Sequence, residues 1–381
     1  MITTFVKQIE TSPMELYLIL KKRIDEGVYA PGAWLPAERA LAEEFNVHRS
    51  SVRRAFVQLE SEGIISRRRG ARPWVNTTGA SIAALATAES RTSVPTIVAI
   101  MPQHPIYPAS QAILHGINMG LRAKKSSCFL RVIDTYGSSP EIATQHEVEA
   151  IESLGQNDLV AVIIWQSGGS ATVPLLRRMQ EQGKAIILVD RIPDGFSCDY
   201  VGSDNMAGID EAVGYLSSLG HRRIGFLTTD EINMPTTQRK AAYFEALSAR
   251  SLPSSEDWLF VAQNRDYAAV APAIDQFDAC PESPTAVVTM NDPLAYFFIS
   301  ELEARGRTVP GDMSVVGFDD LDRYSARPPV LTTMRQPFEL IGKRAAELAL
   351  GRIEEAGKRR QPYQHVLLSM PLIVRKTCGA I

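Results

Sequence analysis

Two groups of side chains in this sequence could do chemistry, and the first is a run of arginines near its start. Seven arginines lie between residues 49 and 72, where only Glu60 and Glu62 oppose them, although the whole chain has a formal charge of −3. Guanidinium groups donate hydrogen bonds to phosphate oxygens and can bind guanine edges in a bidentate manner. The cluster therefore indicates a surface for a polyanion. From charge alone, a solvated charged face is the alternative.

The second group stands at or beyond the ends of short aliphatic runs in the rest of the chain, and Arg239 is expected to begin the helix, at 238–250, that follows the run RIGFL. Its members are Tyr107, Trp165, Gln166, Asp190, Arg191, Arg239, Tyr267, Asn291, Asp292, Asp319 and Asp320. Carboxylates, amides and guanidinium groups bind hydroxyls, and aromatic rings cover apolar C–H faces. The set suits a polyhydroxylated ligand. Taken singly, each residue has a structural alternative, such as a helix cap, a core position or, for Arg191, an ion pair with Asp190.

The arginine cluster lies within a predicted winged helix-turn-helix. Apolar spacing predicts helices at 14–28, 37–45 and about 49–61, followed by two short strands with a basic turn at Arg69 and Gly70. In such a unit the last helix enters the major groove of DNA. That helix presents His48, Arg49, Ser50, Ser51, Arg53 and Arg54. A small helical bundle with solvated arginines is the alternative.

From about residue 96, short Val- and Ile-rich runs alternate with amphipathic stretches. This alternation predicts parallel α/β sheets with strands buried on both faces. About 285 residues exceed one such core, so we expect two lobes. Ligands of open α/β sheets bind beyond the carboxyl ends of the strands, which is where the second group of side chains falls.

These features predict three segments. Residues 1–76 are expected to form the DNA-binding domain, 77–94 an Ala-, Ser- and Thr-rich linker, and 95–381 the effector-binding domain. Within the effector-binding domain, lobe one is expected at 95–190 and 335–367, and lobe two at 191–334 and 368–381.

Several classes of protein are disfavoured. The four cysteines are scattered without metal or redox spacing, which indicates free thiols in a reducing compartment. There is neither an apolar signal core nor a run of about 18 apolar residues, so we expect a cytoplasmic protein with no membrane partner. GxSxG, P-loop, HExxH and GxGxxG motifs are absent. We therefore expect no enzyme activity, no cofactor and no metal.

The first segment resembles a known family. The stretch LPAERALAEEFNVHRSSVRRAFVQLESEGIISRRRG, within residues 16–75, is similar to the DNA-binding head of the GntR family. The resemblance implies DNA contacts at Arg39, Arg49, Ser50, Ser51, Arg53 and Gly70. His48 and Pro73 depart from the pattern, since the family more often has small polar residues there.

Residues 96–376 resemble the LacI/GalR regulatory domain, which is related to periplasmic sugar-binding proteins. The motifs are VDR (189–191), VGSDNMAG (201–208), LGHRRIGFL (219–227), MNDPLA (290–295), SVVGFDD (314–320) and PPVLTTMRQP (328–337). They imply ligand roles for Arg191, Arg239, Asn291 and Asp319, with pocket aromatics at Tyr107 and Tyr267 and a more variable wall at Trp165 and Gln166. Ala242 replaces a usual glycine, and His221 is interpreted as structural.

Together the resemblances imply a fusion like that of arabinose-responsive repressors. We expect a dimeric, ligand-responsive transcriptional regulator that represses carbohydrate-utilisation genes and is released from operator DNA by a sugar. An activator, or a repressor that responds to a purine or sugar phosphate, is the alternative. A periplasmic binding protein would fit the large unit but not the DNA-binding head.

Overall fold

The computed structural model describes most of the chain. The described residues are 13–25, 28–29, 33–45, 47–61, 64–66, 72–75, 95–104, 108–124, 128–137, 139–154, 159–167, 169–262, 270–324, 328–355 and 361–381. The chain divides into two compact units, Met1–Thr92 and Ser93–Ile381. The predicted wing tip, with Arg69 and Gly70, and the predicted linker lie outside the described residues, as do Tyr107 and Tyr267.

The first unit has the predicted winged helix-turn-helix architecture. Its elements are α1 (Pro13–Asp25), α2 (Glu38–Glu44), α3 (Arg49–Ser61), β1 (Ile65–Ser66) and β2 (Trp74–Val75). The two strands pair antiparallel, with Ile65 opposite Val75. Apolar side chains spaced three or four residues apart, such as Leu16 and Leu20 on α1 and Val52 and Phe56 on α3, are buried in one core.

The second unit contains two lobes, each built on a six-stranded sheet. The first-lobe sheet has the order β13-β7-β6-β5-β3-β4, and all its pairings are parallel. Its strands are β3 (Thr96–Met101), β4 (Phe129–Asp134), β5 (Leu159–Ile164), β6 (Ala185–Val189), β7 (Asp199–Ser203) and β13 (His365–Leu368). Its helices are α4 (Ala109–Ala123), α5 (Pro140–Glu152), α6 (Val173–Glu181) and α11 (Phe338–Glu354).

The second-lobe sheet has the order β14-β12-β11-β10-β8-β9, and it is parallel except for the β12–β14 pair. Its strands are β8 (Ile224–Thr229), β9 (Leu259–Ala262), β10 (Ala286–Thr289), β11 (Ser314–Asp319), β12 (Thr332–Arg335) and β14 (Leu372–Ile373). Its helices are α7 (Asn205–Ser218), α8 (Met234–Ala249), α9 (Ala271–Asp278) and α10 (Asp292–Ala304). The predicted two-lobed α/β class with parallel sheets is confirmed.

The aliphatic runs form strands because helices cover both faces of each sheet. Along β3, side chains alternate between two apolar cores, with Ile97 and Ala99 in one and Val98 and Ile100 in the other. Strands β8, β10 and β11 are buried along their whole length. Such strands require near-continuous apolar sequence, which is why they were visible in the sequence.

The chain passes between the lobes three times. It crosses after β7, between β12 and α11, and between β13 and β14. The first crossing therefore comes after Ser203, later than the predicted division between residues 190 and 191. The reason is β7, which pairs with β6 and β13 and extends the first-lobe sheet. Its sequence, DYVGS, has too few aliphatic residues to predict a strand.

Candidate functional site

The exposed face of α3 carries most of the predicted DNA-binding residues. His48, Arg49, Ser50, Arg53 and Arg54 are exposed, and Ser51 is half-buried. The opposite face packs into the core through Val52, Ala55, Phe56 and Leu59. Helix spacing thus separates a polar, arginine-bearing face from the apolar one.

Two of the predicted DNA-binding arginines are paired with carboxylates of α2. Arg53 donates to both carboxylate oxygens of Glu38, at 3.3 Å (Nε) and 2.9 Å (Nη2), and Arg39 donates to Glu43 at 2.9 Å. The arginine side chains remain 63% and 80% exposed. Exposed pairs of this kind contribute little to stability because water screens them, so phosphate can replace the carboxylates at little cost.

The start of α3 is organised by His48. Its Nδ1 lies 2.8 Å from Ser50 Oγ, and its carbonyl oxygen accepts the Ser51 backbone N–H at 2.8 Å. A side chain at this position therefore holds the first turn of the helix, where backbone N–H groups and the helix dipole favour an anion.

In the second unit, the ends of β5 and β6 bring together three predicted residues. Trp165 Nε1 and Arg191 Nε both donate to Asp190 Oδ2, at 3.0 and 3.1 Å. Asp190 has a φ of 68°, a left-handed conformation that is costly for a residue with a side chain. The Tyr200 hydroxyl, buried in the sheet, donates to the Asp190 carbonyl at 2.8 Å. Neighbouring elements thus hold Asp190 in place although its backbone conformation is strained.

Arg191 also reaches across to the second lobe. Its Nη1 donates to Glu231 Oε1 at 3.0 Å, and Glu231 follows β8. Burial lowers the pKa of Arg191, but the charges of Asp190 and Glu231 together outweigh it and raise the pKa above its ordinary value. Arg191 therefore makes the ion pair with Asp190 that was the structural alternative, and it also pairs with the opposite lobe. Its ligand role remains a prediction.

Gln166 is placed differently from its neighbours. It is buried, and its side-chain amide donates to Gly169 O at 2.5 Å and to Thr172 Oγ1 at 3.1 Å. The side chain therefore fixes the short 3-10 turn Gly169–Thr172 after β5. Its ligand role remains a prediction, because both of these contacts are internal.

On the second lobe, Arg239 forms a rigid platform. Its guanidinium lies 3.8 Å from the centroid of the Phe318 ring, and it donates to Asn205 Oδ1 at 2.9 Å and to Met290 O at 2.6 Å. It lies in the second turn of α8, which begins at Met234 after the Asn233 cap, and not at the start of a helix as its spacing predicted. Burial first, and then the charge of Asp190, raise the pKa of Tyr200 above its ordinary value, while Arg191 and Arg239 oppose that rise.

Asn291 and Asp292 open α10. The Asn291 side chain accepts the Leu294 N–H at 3.0 Å and caps the helix. Asp292 is buried and accepts hydrogen bonds from the Thr333 hydroxyl at 2.6 Å and the Leu321 N–H at 2.8 Å. Burial first, and then the charge of Asp319, raise the pKa of Asp292 to about 8.

Asp319 ends β11 at the level of the interlobe crossings. Its Oδ1 accepts from Gln336 Nε2 at 2.5 Å, and Gln336 Oε1 accepts from Ser203 Oγ at 2.7 Å. Ser203 and Gln336 each stand at a crossing between the lobes. Asp319 and Asp320 have φ values of 126° and 60°, so the backbone here is strained, as it is at Asp190.

Sequence reasoning missed residues that the fold brings to these strand ends. They are Glu231, Asn205, Ser203 and Gln336, together with the buried hydroxyls of Ser110, Thr135 and Thr236, which lack a hydrogen-bond partner in the described structure. Glu231 could have been identified because it closely follows a strand. Ser110 and Thr236 could have been identified because each lies in the first turn of a helix that follows a strand. No cluster of His, Cys, Asp or Glu among the described residues is arranged to hold a metal.

Comparison with known proteins identifies both units. Residues 14–74 match the family of bacterial regulatory proteins called gntR, and residues 213–378 match a periplasmic binding protein-like domain. The arabinose metabolism transcriptional repressor of Geobacillus stearothermophilus is 27% identical over 350 residues, which is 89% of this chain and 91% of that protein. The HTH-type transcriptional repressor PurR of Vibrio cholerae serotype O1 (strain M66-2) is 30% identical over 178 residues, 47% of this chain and 53% of that protein. The chain thus spans about half the length of the PurR repressors it matches.

Solved structures match the second unit. A LacI transcriptional regulator from Bacillus cereus subsp. cytotoxis is 21% identical with a TM-score of 0.62, covering 76% of this chain and 99% of that one. A LacI family regulator from Enterococcus faecium, solved with bound ribose, is 21% identical with a TM-score of 0.59, covering 75% and 99%. These likenesses establish the fold. No helix in the described ranges is long and apolar enough to cross a membrane.

Proposed function

We propose that this chain, in which a gntR-type head precedes a periplasmic-binding-protein-like domain, is a one-component transcriptional repressor of carbohydrate-utilisation genes. The carrying observation is that charged side chains from both lobes meet at the carboxyl ends of their strands, in a chain that also has a winged helix-turn-helix. Such a molecule acts on DNA in the cytoplasm and needs no catalytic group.

The head would bind operator DNA through α3. Arg49, Arg53 and Arg54 are exposed there. Arg53 can exchange the Glu38 carboxylate for a phosphate or a guanine edge at little cost in free energy. We infer that two copies bind a pseudo-palindromic operator, since a twofold dimer places two recognition helices on half-sites about one helical turn apart. Arg39, His48, Ser50, Ser51, Arg69 and Gly70 complete the proposed DNA-binding set.

The cleft would bind a sugar. Asp190, Glu231 and Asp319 offer carboxylate oxygens to ligand hydroxyls, and Arg191 and Arg239 offer donors. Ser110, Thr135 and Thr236 add buried hydroxyls that need a partner. Trp165 supplies an aromatic surface, and Gln166, Asn291, Tyr107 and Tyr267 complete the proposed ligand set.

Effector and operator would be linked through lobe closure. A ligand held between the lobes favours the closed form, and hinge motion is the usual way in which two-lobed domains respond to ligands. Linkage is reciprocal and typically amounts to about 1–3 kcal/mol, so the sugar weakens operator binding as much as the operator weakens sugar binding.

A panel of pentoses, hexoses, uronic acids, disaccharides, sugar phosphates and purines tests this on the full-length protein. A ligand that binds only the folded state raises the melting temperature. We expect a neutral sugar to do so selectively, and the same sugar to release the protein from operator DNA in a mobility-shift titration. A sugar that raises the melting temperature but strengthens DNA binding would contradict repression with release.

A metabolite other than a sugar is the second candidate. It is kept because PurR repressors match about half of this chain. A purine or sugar phosphate that shifts the melting temperature when no neutral sugar does would replace the carbohydrate proposal and leave the DNA-binding proposal intact.

A further inference from the structure

We propose that Glu231 is a specificity-determining residue of the cleft and that it selects uncharged polyhydroxylated ligands over anionic ones. The inference rests on the proposed effector-binding function and adds the charge of the ligand to it. Glu231 lies in the second lobe, between β8 and α8.

Glu231 completes a three-charge cluster that spans both lobes. Arg191 Nε lies 3.1 Å from Asp190 Oδ2 of its own lobe, and Arg191 Nη1 lies 3.0 Å from Glu231 Oε1 of the other. The side chains of Asp190, Arg191 and Glu231 are only 8%, 22% and 17% exposed. Water therefore screens these charges poorly, and their interactions are stronger than those of surface pairs.

The three side chains of Asp190, Arg191 and Glu231 together carry one negative charge in excess. A phosphate or carboxylate of a ligand that approached Arg191 would meet a guanidinium already paired with two carboxylates. It would have to displace Glu231, or lie beside it at an unfavourable like-charge distance. A neutral hydroxyl has no such conflict, because it can donate to a carboxylate that still accepts from Arg191.

The other charged side chains proposed to contact the ligand do not reverse this preference. Arg239 is held by the neutral oxygens of Asn205 and Met290, and Asp319 supplies a further carboxylate at the end of β11. Among the residues proposed to contact the ligand, the guanidinium groups of Arg191 and Arg239 are thus outnumbered by the three carboxylates of Asp190, Glu231 and Asp319. A neutral ligand leaves this balance unchanged.

The test compares neutral and anionic sugars of matched shape on the full-length protein. The pairs are D-ribose with D-ribose 5-phosphate, D-glucose with D-glucose 6-phosphate, and D-galactose with D-galacturonate, titrated calorimetrically against the parent and Glu231→Gln. Glu245→Gln, on the exposed face of α8, removes the same charge from the same lobe as a control. Glu231→Asp keeps the charge.

We expect the parent to prefer the neutral member of a bound pair by at least ~10-fold, and Glu231→Gln to reduce that preference by ~5–10-fold. Glu245→Gln and Glu231→Asp should keep the parent's preference. If Glu231 only bridges the lobes, Glu231→Gln will weaken both members equally, which would overturn the inference. Preference of the parent for the anion would overturn it too. Binding of none of these sugars would instead reject the proposed effector class and this inference with it.

Discussion

The DNA-binding head and the effector cleft both use arginine–carboxylate pairs, but they use them in opposite ways. On the head, Arg53 and Glu38 pair at the surface, and the arginine is 63% exposed. At the cleft side of the second lobe, Asp320 is fully buried and is held by Arg335 and Arg375, both at 2.6 Å. Replacing the partner in a surface ion pair costs little free energy, whereas removing one partner of a buried pair leaves an uncompensated charge.

This difference fits two kinds of recognition. A surface that must take up and release a polyanion benefits from cations whose partners are easily replaced. A cleft that must tell small ligands apart benefits from groups that cannot reorient, because a ligand that does not match them leaves buried groups unpaired. Asp190, Asp319 and Asp320 have positive φ values, and such strained conformations persist only where the surrounding structure holds the residue in one orientation.

The largest effect is expected from removal of the buried carboxylate at Asp320. Asp320→Ala leaves Arg335 and Arg375 facing each other without an anion, and we expect a loss of about 3–5 kcal/mol in the free energy of unfolding. The matched surface variant Asp275→Ala removes a carboxylate that is 68% exposed and pairs with Arg305, and should leave the free energy of unfolding almost unchanged. Urea denaturation measures both. Equal losses would contradict the contrast between buried and surface pairs.

Asp319→Ala should disable the cleft without disabling the head. The variant loses the carboxylate that accepts from Gln336 and, in our proposal, from the ligand. We expect affinity for the sugar that stabilises the parent to fall about 100-fold, or about 2.7 kcal/mol, while affinity for operator DNA without sugar stays within about twofold. Calorimetry and mobility-shift titration measure the two. An unchanged sugar titration would remove Asp319 from the site.

Asp292 should give the protein a distinctive pH dependence. Its pKa is raised to about 8 in the folded state, above the ordinary value of 3.8, so between these values the folded state holds a proton that the unfolded state has released. The contribution of Asp292 to stability therefore falls as pH rises from about 4 towards 8. In Asp292→Asn, the amide can still accept from Leu321 N–H and donate to Thr333 Oγ1.

We expect the stability of Asp292→Asn, relative to the parent, to increase by about 1–3 kcal/mol between pH 5 and pH 8. Asp275→Asn serves as the control, because Arg305 holds the pKa of Asp275 below its usual range and the group does not titrate there. Denaturation at several pH values measures the difference. A flat profile for Asp292→Asn would show that the buried carboxyl is ionised throughout.

Arg53→Ala sharpens the same contrast from the side of the head. We expect operator affinity to fall about 10-fold and the salt dependence of binding to become shallower by about one ion, while sugar affinity is unchanged. Arg178→Ala, an exposed arginine of α6, is the control. Equal loss of DNA and sugar binding in Arg53→Ala would contradict the division of labour between the two units.

The sequence predicted those parts of the molecule that depend on local pattern. The long aliphatic strands and the helices of the head follow from periodicity, which is a property of neighbouring residues. β7 was missed because DYVGS becomes a strand only through its pairing with β6 and β13. Helix α8 was predicted to start too late because its first turn, with Pro235 and Thr236, has no apolar spacing.

Contacts between distant segments could not be predicted from local pattern. Glu231 lies 40 residues from Arg191, and Gln336 lies 133 residues from Ser203, so nothing in the sequence near either residue signals its partner. The space that the Asp292 side chain occupies also could not be predicted from local pattern. A side chain at Gly317 would come within 2.4 Å of Asp292 Oδ1, a requirement that only the folded sheet creates.

The three crossings between the lobes also restrict how the effector domain can move. Two lobes joined by a single segment can rotate about several axes and move apart. Three neighbouring segments restrict the lobes to rotation about one hinge axis. Hydrogen bonds tie these segments together, from Asp204 N to Leu368 O and from Arg335 N to Pro371 O, each at 2.9 Å. Twisting or separation would break them, but opening about a common axis would not. We therefore expect the effector domain to move mainly by opening about one axis, so that binding energy gained anywhere in the cleft favours the same motion.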